Sequence, residues 1–298
     1  MYLLWLGHSD AHDSKLVGGK AANLSRLAGD YPVPPGFCLT TAAFEAAHEG
    51  SAAVPRLPRA IFDQIGRAYR TLALQTGVRD PSVAVRSSAV DEDGAEDSFA
   101  GQHETYLNVS GLAAVTAAVL RCWESAHTPR ALAYRRQRGL SAERVRLAVL
   151  IQVQVASDVS AVVFSANPLT GRRDEVVINA SWGLGESIVG GSVTPDTYTV
   201  RRADLAVAGR VIGAKQRMTI AAAGGTREVD VPRLLQMQPA LSDAQAAEMA
   251  RLAVSLESRM GWPVDVECAY QGGRLYLLQC RPITTLAPHG ASLALAAA

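Results

Sequence analysis

The stretch DVECAYQGGRLYLLQCRPIT, residues 265–284, places two alternating runs on either side of a Gly-Gly pair. This pattern predicts a β-hairpin whose side chains point to the two faces in turn. With a three-residue turn, Glu267 lies opposite Gln279. Asp265 then lies opposite Arg281, and all four side chains share one face. A two-residue Gly-Gly turn shifts the register by one residue and scatters them over both faces.

A shared face would suit a site for metal and phosphate. Carboxylates beside an amide oxygen are hard ligands of the kind that magnesium prefers, and an arginine can bind phosphate oxygens. The alternative is a solvated hairpin face with one cross-strand ion pair. This stretch alone fits both interpretations equally well.

The composition bounds the class of protein. The chain has 298 residues and is 48% hydrophobic, enough for one large domain or two closely packed lobes. A formal net charge of +1 favours neither nucleic acid nor a membrane surface as a partner. The four cysteines lack C-x-x-C spacing and indicate reduced thiols in a cytoplasmic protein. The opening MYLLWLGHSD has no basic region, so it predicts a first strand and not a signal peptide.

Hydrophobic periodicity predicts a mixture of helices and strands. Helical spacing of apolar residues indicates helices over 20–28, 58–76, 111–127 and 129–138. Runs rich in β-branched residues indicate strands over 82–90, 146–155 and 160–168. Residues 175–187 indicate a strand that runs into a glycine loop, and residues 197–220 alternate like a surface hairpin. Ser242 and Gln245 form a capping-box signature for a helix that Gly261 ends. Because helices and strands do not alternate strictly, the expected class is α+β with antiparallel sheets in two lobes.

Three short motifs could bind phosphate, and each has an ordinary alternative. VGGK (17–20) places Lys20, one of only three lysines, near a helix start that attracts anions, although a plain helix entry has the same pattern. VRSSA (85–89) places Arg86 in an apolar strand, where it needs either a structural carboxylate or a phosphate. SFAGQHET (98–105) holds Gly101 and Thr105 in a loop that could equally be a simple connection.

Several catalytic motifs are missing. SWGLGE (181–186) lacks the third glycine of a Rossmann fingerprint. The histidines do not form H-E-x-x-H, which disfavours a zinc hydrolase, and G-x-S-x-G is absent. The sequence therefore disfavours dinucleotide binding, zinc hydrolysis and α/β-hydrolase chemistry.

Seven stretches, taken in order, resemble one family. They are VGGKAANLSRL (17–27), VPPGFCLTTAAF (33–44), VAVRSSAVDED (83–93), SFAGQHETYLNV (98–109), SDVSAVVFSANPLTG (157–171), INASWGLGESIVGGSVTPDTY (178–198) and DVECAYQGGRLYLLQCRPIT (265–284). They are similar to the ATP-binding domain of phosphoenolpyruvate synthase and pyruvate phosphate dikinase, which rifampicin phosphotransferase shares. The resemblance predicts this domain over residues 1–285 and a tail or linker over 286–298.

The resemblance implies an ATP-grasp-like fold, with adenine between two lobes and the triphosphate over glycine loops. It implies three catalytic cations that hold or neutralise phosphate, namely Lys20, Arg86 and Arg281. The loop that closes over the phosphates would contain Gly101 and Thr105. Three further residues would bind the nucleotide: Gln152, Gln154 and Glu186. Of these, Gln152 would lie in the hinge strand beside the adenine.

For the metal, the resemblance implies that Glu267 and Gln279 bind magnesium and that Asp265 supports them. It thereby favours the three-residue turn, since we expect only that register to bring the hairpin residues together. The hinge departs from the family pattern, because Val153 and Gln154 stand where the family has an arginine and a methionine.

The family also uses a swivelling domain whose histidine accepts the β-phosphoryl group of ATP. No Gly-rich, Thr/Ser-containing histidine motif occurs here, so we expect a stand-alone chain whose acceptor lies on a separate domain or subunit. A second interpretation is a self-contained kinase or ligase that uses the same ATP site on a small molecule. A third is a nucleotide-sensing domain without turnover.

Overall fold

A computed structural model describes residues 1–49, 55–90, 104–137 and 145–286 of the chain. The strands are β1 (Leu3–Trp5), β2 (Gly36–Leu39), β3 (Val83–Ala89), β4 (Thr105–Val109), β5 (Leu147–Val153), β6 (Val159–Phe164), β7 (Glu175–Trp182), β8 (Asp196–Arg201), β9 (Val207–Val211), β10 (Arg217–Ala222), β11 (Gly225–Asp230), β12 (Val264–Gln271) and β13 (Arg274–Pro282). The helices are α1 (Ser14–Leu27), α2 (Thr41–Ala47), α3 (Arg59–Thr76), α4 (Leu112–Ser125), α5 (Pro129–Gln137), α6 (Glu186–Val189), α7 (Arg233–Gln236) and α8 (Asp243–Met260).

Two antiparallel sheets form the two lobes. The first has the strand order β1-β2-β5-β3-β4, and the second has the order β13-β12-β6-β7-β8-β9. Every neighbouring pair in both sheets is antiparallel. The predicted α+β class, with two lobes of antiparallel sheet, is confirmed. Within the described residues, no helix is both long and apolar enough to cross a membrane.

Helix α1 joins the lobes. Its buried Val17 and Leu24 pack in one cluster with residues of both sheets. At one side the amide N–H of Ala21 donates to Ser88 Oγ on β3 at 3.2 Å, and at the other Asn23 Nδ2 donates to the Cys280 carbonyl on β13 at 3.3 Å. A helix bonded to both sheets fixes their spacing, and so it fixes the width of the cleft between them.

The outer faces are closed by amphipathic helices. Helices α2, α3 and α4 cover the first sheet, and α8 packs on the second. Helix α8 begins with the predicted capping box between Ser242 and Gln245 and ends at Gly261, whose φ is +80°. Helix α3 ends in the same way at Gly77. These predicted boundaries, and that of β1 as a first strand, are confirmed.

Two sequence predictions about strands were wrong. Residues 197–220 do not form one hairpin, because β8 pairs with β9 whereas β10 pairs with β11 in a separate ribbon. The turn of the β12–β13 hairpin is a two-residue turn, with Gln271 paired to Arg274. Gly272 and Gly273 have φ values of +56° and +78°, which two adjacent glycines adopt easily.

The hairpin nevertheless brings its polar residues together. A β-bulge lies at Leu278, between the pairs Cys268–Leu277 and Glu267–Gln279. The extra residue shifts the pairing on β13 by one position beyond the bulge, so Asp265 pairs with Arg281 as predicted. The predicted pairing of these residues is therefore correct, but the bulge at Leu278 produces it and not a three-residue turn.

Candidate functional site

A cavity of about 320 Å³ lies between the two sheets. The residues predicted for the site and found in its wall are Lys20, Arg86, Thr105, Gln154, Glu186, Glu267, Gln279 and Arg281. They come from both sheets, from α1 and from the glycine loop after β7. Residues separated by up to 261 positions in the sequence thus share one small space.

Two of the predicted residues lie outside the wall of the cavity. Gln152 is buried, and its Nε2 donates to the Pro34 carbonyl at 3.1 Å, so it does not line the cavity. Asp265 is buried behind Arg281 and is also absent from the wall. Gly101 lies outside the described residues.

Arg86 projects from the middle of β3 across to the second sheet. Its side chain is only 13% exposed, and one terminal nitrogen lies 3.5 Å from Glu267 Oε2. The other terminal nitrogen donates to the Leu278 carbonyl at 3.2 Å. The bulge at Leu278 therefore both sets the register and supplies an acceptor for Arg86. The Nε of Arg86 is buried and has no partner among the described residues, so a further acceptor would stabilise it.

Lys20 reaches the cavity because α1 is kinked at Gly18. There φ is +74° and ψ is 166°, a conformation that is essentially restricted to glycine. A β-carbon on this residue would lie 2.1 Å from the Ser88 carbonyl oxygen. The glycine turn predicted from VGGK is thus real, and its close approach to β3 places Lys20 beside Arg86 in the wall.

Glu267 and Gln279 offer oxygen atoms on one face of the hairpin. They are paired directly across β12 and β13, and both line the cavity. A side-chain amide oxygen beside a carboxylate fits a hard cation such as magnesium. No group of three or more His, Cys, Asp or Glu in the described part of the chain could hold a metal by itself.

Arg281 is positioned by Asp265. Its Nε donates to Asp265 Oδ2 at 2.9 Å, and the remaining guanidinium lies in the wall of the cavity. Burial raises the pKa of Asp265, and the positive charge of Arg281 opposes this shift. The carboxylate therefore depends on the guanidinium, and the pair fixes where the positive charge points.

The glycine loop after β7 forms another side of the cavity. Ser160 Oγ donates to the Gly183 carbonyl at 2.8 Å, and the amide of Gly183 donates to Asp158 at 2.9 Å. At the rim, Thr226 of the β10–β11 ribbon donates to Glu186 at 2.7 Å. The loop thus lies in the wall, and the ribbon contacts it through Glu186.

Sequence reasoning missed the apolar part of the wall. Its members are Leu107, Ala161, Val162, Leu184, Val189 and Leu278. In the sequence they look like ordinary strand or turn residues. It also missed Asn108, which has a φ of +54° and donates to Ala222 and Gly225, tying the ribbon to the first sheet. No sequence pattern marks that contact.

Comparison with known proteins gives one family. The family described as pyruvate phosphate dikinase, AMP/ATP-binding domain, matches residues 51–294. A protein described as a probable phosphoenolpyruvate synthase, from Pyrococcus horikoshii, is 36% identical over 96% of this chain and 44% of its own length. A rifampicin phosphotransferase from Streptomyces sviceus is 40% identical over 96% of this chain and 36% of its own length. The chain spans less than half the length of these relatives.

A solved structure, D-alanyl-alanine synthetase A from Vibrio cholerae, aligns with 96% of this chain and 60% of its own at 12% identity. Its TM-score of 0.37 is too low to support an argument. The family match and the curated relatives agree with the resemblance seen in the seven stretches. The chain belongs to the family of the pyruvate phosphate dikinase AMP/ATP-binding domain.

Proposed function

We propose that the cleft binds ATP with magnesium and that the chain is a phosphotransferase module of the dikinase type. In this reaction ATP, water and an acceptor histidine give AMP, inorganic phosphate and a phosphohistidine. The β-phosphoryl group goes to the histidine, which lies on a separate swivelling domain or subunit. The family membership and the two similar proteins support this choice of chemistry.

The observation that carries the proposal is the convergence of three cationic side chains on one cavity. Lys20, Arg86 and Arg281 come from α1, from β3 and from β13. Cations brought together at a partly buried place favour a bound anion, because its negative charge offsets their mutual repulsion. A triphosphate supplies several negative charges within the reach of all three.

The proposed roles follow from position. Arg86 and Lys20 would bind phosphate oxygens, and the Arg86 Nε would gain the acceptor that it lacks. Arg281, held by Asp265, would neutralise charge that develops on the transferred group. Phosphoryl transfer requires mainly positioning and neutralisation of charge, so these residues need do no covalent chemistry.

Magnesium would be held by Glu267 and Gln279. When bound, it would supply positive charge that stabilises the negative charge of the phosphates. Glu267 lies 3.5 Å from Arg86, a weak contact that the cation would replace. Asp265 would support the site indirectly, through Arg281.

The test uses the full chain with magnesium and ATP labelled separately at the β and γ positions, and the products are separated. Release of AMP supports the dikinase reaction. Formation of ADP alone, dependent on a small acceptor, would overturn it in favour of a kinase or ligase. If ATP binds but is not altered, the same assay is repeated with a candidate histidine domain added. Absence of AMP in that assay as well would refute the proposal.

A matched pair of variants tests the metal site. Glu267→Gln should raise the magnesium concentration needed for nucleotide binding, because a charged ligand is lost. Glu257→Gln removes a carboxylate that pairs with Arg202 outside the cleft, and it should leave the magnesium requirement unchanged. An equal requirement in both variants would contradict the assignment of Glu267.

A further inference from the structure

The β10–β11 ribbon connects two sides of the cavity wall. At the second lobe, the amide of Leu184 donates to the Thr219 carbonyl at 2.9 Å. Close by, Thr226 Oγ1 donates to Glu186 Oε2 at 2.7 Å, and both Leu184 and Glu186 line the cavity. At the first lobe, both strands of the ribbon contact β4, whose Leu107 also lines the cavity. The ribbon therefore runs from one lobe to the other beside the cleft.

The contact with the first lobe depends on Asn108, which follows Leu107 on β4. Its Nδ2 donates to the Ala222 carbonyl at 2.7 Å and to the Gly225 carbonyl at 2.9 Å, and these two residues flank the turn of the ribbon. Its Oδ1 accepts from Ser82 Oγ at 2.7 Å. Because a carbonyl oxygen can only accept, the NH₂ group must face the ribbon. One amide group thus joins the first lobe to both strands of the ribbon.

The backbone of β4 is shaped to present Asn108. The register of β3 against β4 shifts between Val83 and Val85, so that residues 107 and 108 of β4 lie opposite one residue of β3. Such a β-bulge re-aims the side chain that it carries. The φ of Asn108 is +54°, a left-handed conformation that costs energy for most residues and less for asparagine. Residue type and bulge together fit the contact with the ribbon.

Hydrogen bonds, and not a packed apolar core, hold the ribbon turn to the first lobe. Between the turn and α4 lies a second cavity, lined by Asn108, Arg121 and the turn residues 221–224. Of the residues in β10 and β11, only Thr219 is buried, and it contacts the second lobe. The ribbon is therefore anchored at the second lobe, whereas its far end can leave the first lobe without unfolding either sheet.

From these contacts we infer that the ribbon is a strap across one side of the nucleotide cleft, and that Asn108 is the positioning residue that holds it closed. Helix α1 fixes the spacing of the sheets, so release of the ribbon turn opens this side without separating the lobes. The inference rests on the proposed function, since the ligand is the nucleotide placed in the cleft. Nucleotide enters and leaves past the ribbon, and Asn108 slows both steps.

Stopped-flow fluorescence of the full chain tests this, with magnesium and an ATP that carries a fluorescent label on its ribose. Excess unlabelled ATP gives the release rate, and the dependence on protein concentration gives the association rate constant. Asn108→Gly removes the amide but keeps the backbone conformation, which glycine adopts freely. We expect release at least about tenfold faster than in wild type, because two hydrogen bonds between the lobes are lost. Association should also be faster, because the side covered by the ribbon is open more often.

Two further variants complete the design. Asn108→Asp keeps the size of the side chain but places an oxygen against the two ribbon carbonyls, and it should also speed both release and association. Asn167→Gly is the matched control. It removes an amide that donates to Glu175 Oε1 at 2.8 Å outside the cavity wall, and it should keep both wild-type rates.

Equal rates in wild type and Asn108→Gly would overturn the inference, and binding of the labelled ATP by both would leave the proposed function intact. Faster release without faster association would also overturn it, because that pattern indicates weaker binding in a cleft whose opening is unchanged. A rise of the same size in Asn167→Gly would do so too. If wild type does not bind the labelled ATP, both the inference and the proposed function fail. Asn108→Asp gives the same comparison if Asn108→Gly does not fold.

Discussion

Replacing Gly18 by alanine tests how the cleft is built. The backbone here has a φ of +74° and a ψ of 166°, and an added β-carbon would lie 2.1 Å from the Ser88 carbonyl oxygen and 2.4 Å from Ser88 Oγ. Real β-carbons essentially never come within 3.0 Å of another heavy atom. Helix α1 and strand β3 must therefore separate by about 1 Å, because repulsion rises steeply inside van der Waals contact.

The expected cost has two parts. An alanine forced into this backbone conformation costs about 1–3 kcal/mol. Overpacking against the backbone of β3 costs about 1–3 kcal/mol more. Lys20 lies two residues further along α1, so the same displacement should move its ammonium and weaken nucleotide binding. The variant should therefore lose stability and affinity together.

Gly77 provides the matched control. It also has a positive φ, +69°, but it ends α3, and a β-carbon there would meet nothing within 4 Å. Gly77→Ala should cost only about 1–2 kcal/mol, the penalty of the left-handed conformation, and should keep wild-type affinity. Urea unfolding followed by tryptophan fluorescence, with calorimetric titration of ATP and magnesium, measures both quantities. If Gly18→Ala is as stable as Gly77→Ala and binds nucleotide as well, the reasoning is refuted.

Three further predictions concern the rest of the molecule. Asp196→Asn should lower the free energy of unfolding by about 3–5 kcal/mol, because it leaves the Lys215 ammonium, 0% exposed, without its carboxylate; a loss below about 1 kcal/mol in urea unfolding would contradict this. Burial and the neighbouring His48 lower the pKa of His127 below its ordinary 6.5, so the folded state resists protonation. The stability that neutral His127 contributes is complete above about pH 6.5 and is lost as pH falls through the folded pKa. The urea midpoint of the wild type should therefore fall between pH 7 and pH 5, and that of His127→Phe should fall less steeply. Parallel pH profiles of the two proteins would contradict this prediction. All four cysteines are buried, so a thiol reagent at pH 8 should label the native chain slowly and label four thiols after unfolding; fast native labelling would exclude the packing described.

The sequence predicted the helices and strands well where periodicity and end signals agree. Helix α8 has both an apolar stripe and a capping box with a final glycine, and its bounds were predicted closely. The 197–220 region has alternation without such signals. Alternation fixes which face a side chain takes but not which strand it pairs with, so the division between two sheets was not predictable.

The candidate site shows the same division between local and long-range information. The hairpin register depends on a β-bulge at Leu278. In the sequence, the apolar pair Leu277-Leu278 does not indicate a bulge. Gln152 and Gln154 lie on the same face of one chain segment, and alternation cannot tell them apart. The buried hydrogen bond to Pro34, 118 residues away in sequence, removes Gln152 from the wall and leaves Gln154 in it.

The scarcity of lysine marks Lys215 as much as Lys20. Lys215 forms a fully buried pair with Asp196. The compact ammonium there is enclosed by Asp196 and the Gly213 carbonyl. Burial of this pair depends on strands far apart in the chain, so composition alone could not distinguish a structural lysine from a binding lysine.

The central claim is that the cations of the cleft bind the phosphates of a nucleotide, and calorimetric titration of the full chain with ATP and magnesium tests it most directly. Wild type should bind one ATP. Arg86→Met should weaken binding about 30-fold or more, equivalent to at least about 2 kcal/mol. Arg202→Met, which removes a partly buried arginine paired with Glu257 outside the cleft, should bind as wild type does. Absence of ATP binding by wild type, or equal affinity of Arg86→Met and wild type, would contradict the account.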